Sequence, residues 1–336
     1  MLNFLKTFIL LGAFNSLCAT PTLGTENTSQ AQLLYDAITP YILTFDIDAH
    51  ASGDFGQTDL SFTAQTQLLE KLARLIQAKE EIHFLCLAFP FKSSNKELLV
   101  EGSLPDMADY HSLEYLENFI IALKEIYPKI SLTIMTDGLL FNDLFEIPDK
   151  DVIGFEAHLK KIMKDFPNLK LLTFSQVLQE KAISLKSFKE AGTAYKLPKP
   201  VPAPRLELLK KRIKHEINHK DHSFSKQSSK QQDILLTRLA IKLIKRDEYL
   251  KGFVQRFQEK KTLRLSIHYQ SDLSKKIGLK ITPTSVIFPW NGVFVIPQNG
   301  QGQIMPQGQV DKKRYQKETK MIQGIPLPFY RWRSGV

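Results

Sequence analysis

Cysteine is almost missing from this chain. Cys18 and Cys86 are all there is in 336 residues, and Cys18 falls in an N-terminal apolar stretch. With that stretch removed no disulfide framework can form, so the fold must rest on a packed core. Cys86 has no charge partner nearby in sequence and reads as a buried structural thiol. Long apolar runs are also missing: nothing after the N-terminus is long and apolar enough for a helix to span a bilayer. There is no internal repeat and no long low-complexity segment, which speaks against solenoids and arrays. Acid is in deficit, with 35 Asp and Glu against 45 Lys and Arg, a formal net charge of +10. That balance suits an anionic partner (nucleic acid, a membrane surface, a phosphorylated small molecule) or simply a solvated lysine-rich surface.

What is present is enough for a real core. Apolar residues make up 43% and aromatics 10%, which argues against disorder. The length fits one large or two ordinary domains. Residues 1–19, MLNFLKTFILLGAFNSLCA, have the pattern of a signal peptide cut after Ala19, implying export to a periplasm or exterior. The alternative is a first helix of a cytoplasmic protein.

Periodicity predicts helices over 30–43 and 63–79. A near-continuous apolar run, EIHFLCLAFP, follows and reads as a strand covered on both faces. Then come a polar loop LPDMAD, a helix over 111–127 and a second strand SLTIMTDG. Strand, crossover helix and strand make a βαβ unit, and further helices over 151–165 and 176–189 flank a strand LKLLTFS. The expectation is an α/β fold: a Rossmann-like, mostly parallel sheet with flanking helices over 20–190. Residues 191–204 carry four prolines and read as a linker. Residues 205–336 then form a smaller helical and β part that completes the site. Within it are helices over 233–245 and 248–260, a strand TLRLSIHY, a hairpin-like pair over 284–301 and a basic, poorly patterned tail from Val310.

Ligands of such sheets sit beyond the carboxyl ends of the strands. Lys92 and Asn95 follow the first strand, and a lysine there either binds phosphate, condenses with a carbonyl, or is an ordinary surface lysine. Asp106 follows a proline and suits a helix cap. Asp137 and Gly138 end the second strand, with Asp143 six positions on; an aspartate there bonds a substrate hydroxyl, transfers protons or marks a turn. Arg264, Ser266 and His268 alternate, so they share one face of a strand, with Leu263, Leu265 and Ile267 on the other. A fork for anions and an imidazole for protons converge there. Trp290 and Asn291 offer an aromatic wall and an amide, or a core tryptophan. A separate match, HEINH at 215–219 with His222 beyond it, fits the zinc-peptidase pattern but lacks that pattern's apolar flanks.

The blocks FPFKSSN, LPDMAD, TDGLLFND, KRDEY, LRLSIH and FPWNGV, in this order, resemble the isonitrile synthase family, which includes the pyoverdine/paerucumarin-type synthases and the dityrosine biosynthesis proteins. The resemblance runs from about Ile82 to Gly300 and implies a Rossmann-like core. It implies a lyase-type enzyme that takes an amino acid, often tyrosine or tryptophan, and ribulose 5-phosphate as carbon donor. It implies no metal or nicotinamide, no nucleic acid, and a pathway oxygenase as neighbour. Carried over residue by residue, it places Lys92, Asp137, Arg264 and His268 in catalysis. Asn95, Asp106, Asp143 and Ser266 would bind substrate, with Trp290 and Asn291 beside them. Two departures stand out: Asn291 where the family usually has histidine, and Ser94 where it often has proline. A zinc peptidase, or a non-catalytic member that keeps the pocket, are the competing readings.

Overall fold

The computed structural model describes residues 25–43, 62–217, 223–257, 262–268, 273, 275–283 and 287–333. The proposed leader and the second half of HEINH, His219 included, lie outside these residues, as does His222.

Two helices, α1 (Thr25–Ile38) and α2 (Phe62–Gln77), precede β1 (Ile82–Leu87). The crossover helix α3 (Met107–Ile126) leads to β2 (Ile130–Thr136). A short α4 (Gly138–Phe141) and α5 (Asp149–Ile162) lead on to β3 (Leu169–Thr173). These three strands are parallel, with β1 between β2 and the later β4 (Thr262–Ser266). With the two-residue β5 (Ile277–Gly278) the order is β3-β2-β1-β4-β5. The strand order reverses between β1 and β4, so the ligand crevice of such a sheet belongs above that pair.

Both faces of the sheet are covered, as the apolar run of β1 requires. Ile82, Phe84 and Cys86 join Leu263 and Leu265 in one core, roofed by α1, α2 and α3. Leu85 and Leu87 turn to a second core built with α6 (Phe174–Glu180), α7 (Leu185–Ala194), α8 (Ala203–Ile217) and α9 (Ser229–Phe257). The proline-rich strap therefore joins stretches of one sheet: β1 to β3 come from before it and β4 and β5 from after it.

Several expectations need correction. The helix expected over 176–189 is two: Ala182 adopts a left-handed φ of 54°, and Ser184 caps α7 by accepting from the Ser187 amide at 3.1 Å. The two helices expected over 233–260 are one of 29 residues; the polar KRDE segment contains no breaker, and within it Arg246 is buried against Asp143. Among the described residues the pair expected within 284–301 is not formed. Instead β6 (Val293–Ile296) pairs antiparallel with β7 (Gln303–Met305), and Pro289–Asn291 is a single helical turn. The tail is patterned after all: β8 (Tyr315–Ile322) and β9 (Ile325–Trp332) form a hairpin through Gln323 and Gly324, both at positive φ. Ile325, Leu327 and Phe329 alternate inward onto the first core, completing a second sheet of order β7-β6-β9-β8.

One close approach fixes the site. A Cβ on Gly138 would lie 1.9 Å from the Pro90 carbonyl oxygen and 2.8 Å from Val152 Cγ1. The first is backbone and cannot swing away. Gly138→Ala is expected to destabilise by ~3 kcal/mol, the upper end for overpacking, read as a lower denaturant midpoint; an unchanged midpoint would show that the two strand ends separate freely.

Candidate functional site

The chain leaves β1 through a strained corner. Phe89 is fully buried with a φ of 55°, an uncommon conformation for an aromatic residue. It packs edge-on against Trp290 with centroids 5.8 Å apart, and Trp290 stacks on Phe288 at 4.9 Å. Trp290 is thus a core residue of the first cluster, not a pocket wall.

Past this corner Lys92 turns inward. Its side chain is 0% exposed, and Nζ lies 2.9 Å from Asp106 Oδ2, 2.7 Å from Asp109 Oδ2 and 2.8 Å from the Pro289 carbonyl. All three ammonium protons are committed, so this lysine is not available to a phosphate or a carbonyl. Asp106 caps α3, accepting from the Ala108 amide at 2.7 Å, while its own amide donates to Asp109 Oδ2 at 2.9 Å. Burial pushes the Asp106 carboxyl up to about 7, with Lys92 opposing. The Lys92 and Asp106 assignments are corrected accordingly: they weld the β1 loop, α3 and the 289–291 turn together.

Asn95 and Asn291 have similar tying roles. The Asn95 amide donates to the His215 carbonyl at 2.9 Å and its oxygen accepts from the Leu98 amide at 3.0 Å. Asn291 Nδ2 donates to Glu216 Oε1 at 2.9 Å. Glu216 is buried and His215 exposed. Among the described residues no group of His, Cys, Asp and Glu is placed to hold a metal. Asp143 accepts from Arg246 Nη1 at 2.6 Å and Nη2 at 2.9 Å, with Lys189 at 3.4 Å. Burial raises its carboxyl, but the Arg246 hydrogen bonds and charge, with Lys189, hold it below its ordinary value. Arg246 also donates to the Leu140 carbonyl and Thr193 Oγ1, so the pair staples α4, α7 and α9.

Ionisable groups with linked fields lie elsewhere, around Asp247. Asp137 sits at the start of α4, yet its carboxylate caps no helix amide. Burial pushes it up to about 7; Asp247 and Glu156 add to this, and Arg212 opposes. Arg264 and Ser266 lie beside Leu85 and Leu87 in register, hence on the same face. Arg264 is 8% exposed, and its Nε has no hydrogen-bond partner among the described residues. Burial lowers its pKa, with Asp247 opposing. Asp247 is the hub, since its field reaches Asp137, Arg264 and Lys276 together. Ser266 Oγ accepts from the His268 amide at 3.2 Å, and the His268 ring stands edge-on to Phe288 at 5.7 Å.

Asp137 thus follows β2, and Arg264 and Ser266 lie on β4, the two strands that flank β1. The sequence reading missed Asp247, Arg212 and Lys276. Asp247 had one signal, the KRDEY block; the other two lie in basic stretches where nothing local distinguishes them.

A sequence model of the family described as pyoverdine/dityrosine biosynthesis protein matches residues 72–222 and 207–318. The chain is 28% identical over 241 residues to the L-tryptophan isonitrile synthase AmbI1 of Fischerella ambigua, covering 66% of this chain and 73% of that protein. It is 27% identical over 248 residues to the L-tyrosine isonitrile synthase of Pseudomonas aeruginosa, covering 68% and 73%. The crystal structure of the PvcA protein from Pseudomonas aeruginosa superposes with a TM-score of 0.69 at 21% identity, over 90% of this chain and 100% of that one; this likeness speaks for the fold.

Proposed function

Because this chain belongs to the pyoverdine/dityrosine biosynthesis protein family, we propose that it is an isonitrile synthase. It acts on an aromatic amino acid with ribulose 5-phosphate as the carbon donor. The observation that supports this is that an uncapped Asp137 after β2 and a buried Arg264 on β4, the two strands flanking β1, both lie in the field of Asp247.

Joining an amine to a ketone needs a base to free the amine and an acid to release water. A carboxyl near 7 serves both within one cycle. Asp137 takes the ammonium proton of the amino acid and returns it to the departing hydroxyl. Asp247 keeps that proton available by raising Asp137 further. Arg264 holds an anionic group of the substrate through its fork. His268, at the open end of β4, serves the later proton transfers that leave one carbon on nitrogen. Lys92 stays outside this list, since its protons are spent.

The test is incubation of purified protein with ribulose 5-phosphate and each aromatic amino acid, followed by mass detection. An isonitrile or formyl product from tyrosine or tryptophan is the expected result, and no product from any amino acid sinks the reading. Stabilisation by substrate without turnover would instead identify a binding protein that retains the pocket.

A further inference from the structure

We propose that Lys276 and Arg264 form a two-cation cradle for a phosphate dianion, which on the functional reading above is the phosphate of the sugar substrate. The placement is fixed by backbone register. Leu265 pairs with Ile277 and Ser266 with Gly278 in parallel strands, so Lys276 stands beside Arg264 one strand over. Leu265 and Ile277 both face the first core. Arg264 and Lys276 therefore share the opposite face, on strands about 4.8 Å apart.

Like charges placed side by side on a sheet repel and destabilise it. Here the field of Asp247 relieves them only in part. Arg264 Nε is buried without a partner, and no ion pair or hydrogen bond joins Lys276 to a described residue. The nearby acid, Asp247, closes its own ion pair with Lys251 at 2.6 Å. Burial, and then the Arg264 charge, push the Lys276 ammonium down to about 8; Lys251 adds to this, while Asp247 and Cys86 oppose. A dianion between the two cations reverses that penalty. A carboxylate would leave one cation unmet, and the ammonium of an amino acid would be repelled. The amine belongs instead with Asp137 and Asp247. Arginine supplies the directional fork and lysine the point charge, the complementary pair for a phosphate.

Thermal melts with added inorganic phosphate, against chloride at equal ionic strength, test the cradle without any turnover. Phosphate is expected to stabilise the wild-type protein and not Lys276→Gln, while ligand-free Lys276→Gln melts no lower than wild type because a repulsion is gone. Lys276→Arg keeps the response. In turnover, Lys276→Gln is expected to raise KM for ribulose 5-phosphate about 10- to 100-fold, the value of one charge-assisted bond, with KM for the amino acid unchanged. Equal phosphate stabilisation of wild type and Lys276→Gln, or equal rises in both KM values, overturns the proposal. Loss of phosphate response in a protein that makes no isonitrile leaves the cradle standing and removes the synthase reading.

Discussion

Lys92→Met is expected to unfold the protein before it disturbs any chemistry. The lysine ammonium is enclosed by Asp106, Asp109 and the Pro289 carbonyl, with side-chain exposures of 0%, 8% and 0% for Lys92, Asp106 and Asp109. Burial alone would lower its pKa, but the two carboxylates more than offset this and raise it. Removing the cation leaves two acids facing each other in the core. Breaking a buried pair in this way costs ~3–5 kcal/mol, a large part of the ~5–15 kcal/mol that holds a domain together. The same group ties chain segments 197 residues apart, so its loss frees the β1 loop, the start of α3 and the 289–291 turn together. The double change Lys92→Met with Asp109→Asn is expected to recover part of the loss, because one buried carboxyl, Asp106, rather than two then lacks its cation. Urea unfolding checks both. A catalytic Lys92 would give the opposite pattern: a normal midpoint, lost activity and no rescue by Asp109→Asn.

The same cluster sets a pH dependence. Asp106 is raised from 3.8 to about 7 in the folded state. The folded protein therefore binds the extra proton between these values, and the associated stability is present at low pH and lost as pH rises through about 7. Asp106→Asn keeps the cap, since asparagine caps as well as aspartate. It is expected to flatten the fall in melting temperature between about pH 4 and pH 7.

Why Lys92 was misread shows where sequence patterns stop. The βαβ unit was legible because β1 is apolar on both faces and its neighbours keep helical period, which are local properties. The Arg264–Ser266 row was legible because period two is local as well. A lysine at a strand end looks the same whether it points at a ligand or at two aspartates; the difference lies in Asp109, three positions beyond a cap, and in a proline carbonyl far along the chain. Lys276 was illegible for a related reason. It precedes a strand of two residues, too short to carry a period, and only the register with β4 sets it beside Arg264. Asp247 sits mid-helix where its charge suggested a break, because in sequence a site-facing polar turn and a loop share one composition. The β8–β9 hairpin was missed because Gln323 and Gly324 take the place of the usual Asn-Gly turn.

Asp137→Asn is expected to lower kcat by about 10²- to 10⁴-fold, the worth of a positioned general acid–base, while making the protein more stable. The second half is the sharper claim. Burial, then Asp247 and Glu156, raise this carboxyl from 3.8 to about 7. The folded state holds the proton more tightly than the unfolded chain, so stability falls as pH rises from the unfolded value through about 7. At pH 8 the ionised carboxylate costs the fold on the order of 2–4 kcal/mol. Asparagine cannot ionise, so its melting temperature should exceed that of the wild type at pH 8 and match it near pH 4. A residue kept for structure loses stability when replaced; one kept ionisable where its surroundings oppose its charge gains it. The rate of the wild-type enzyme should rise with pH along a limb centred near 7, since the base form starts the cycle. Asp247→Asn removes a negative neighbour, so that limb should move to lower pH. A variant at Asp137 that keeps its turnover, or a limb that ignores Asp247, would take the proton transfer away from this carboxyl.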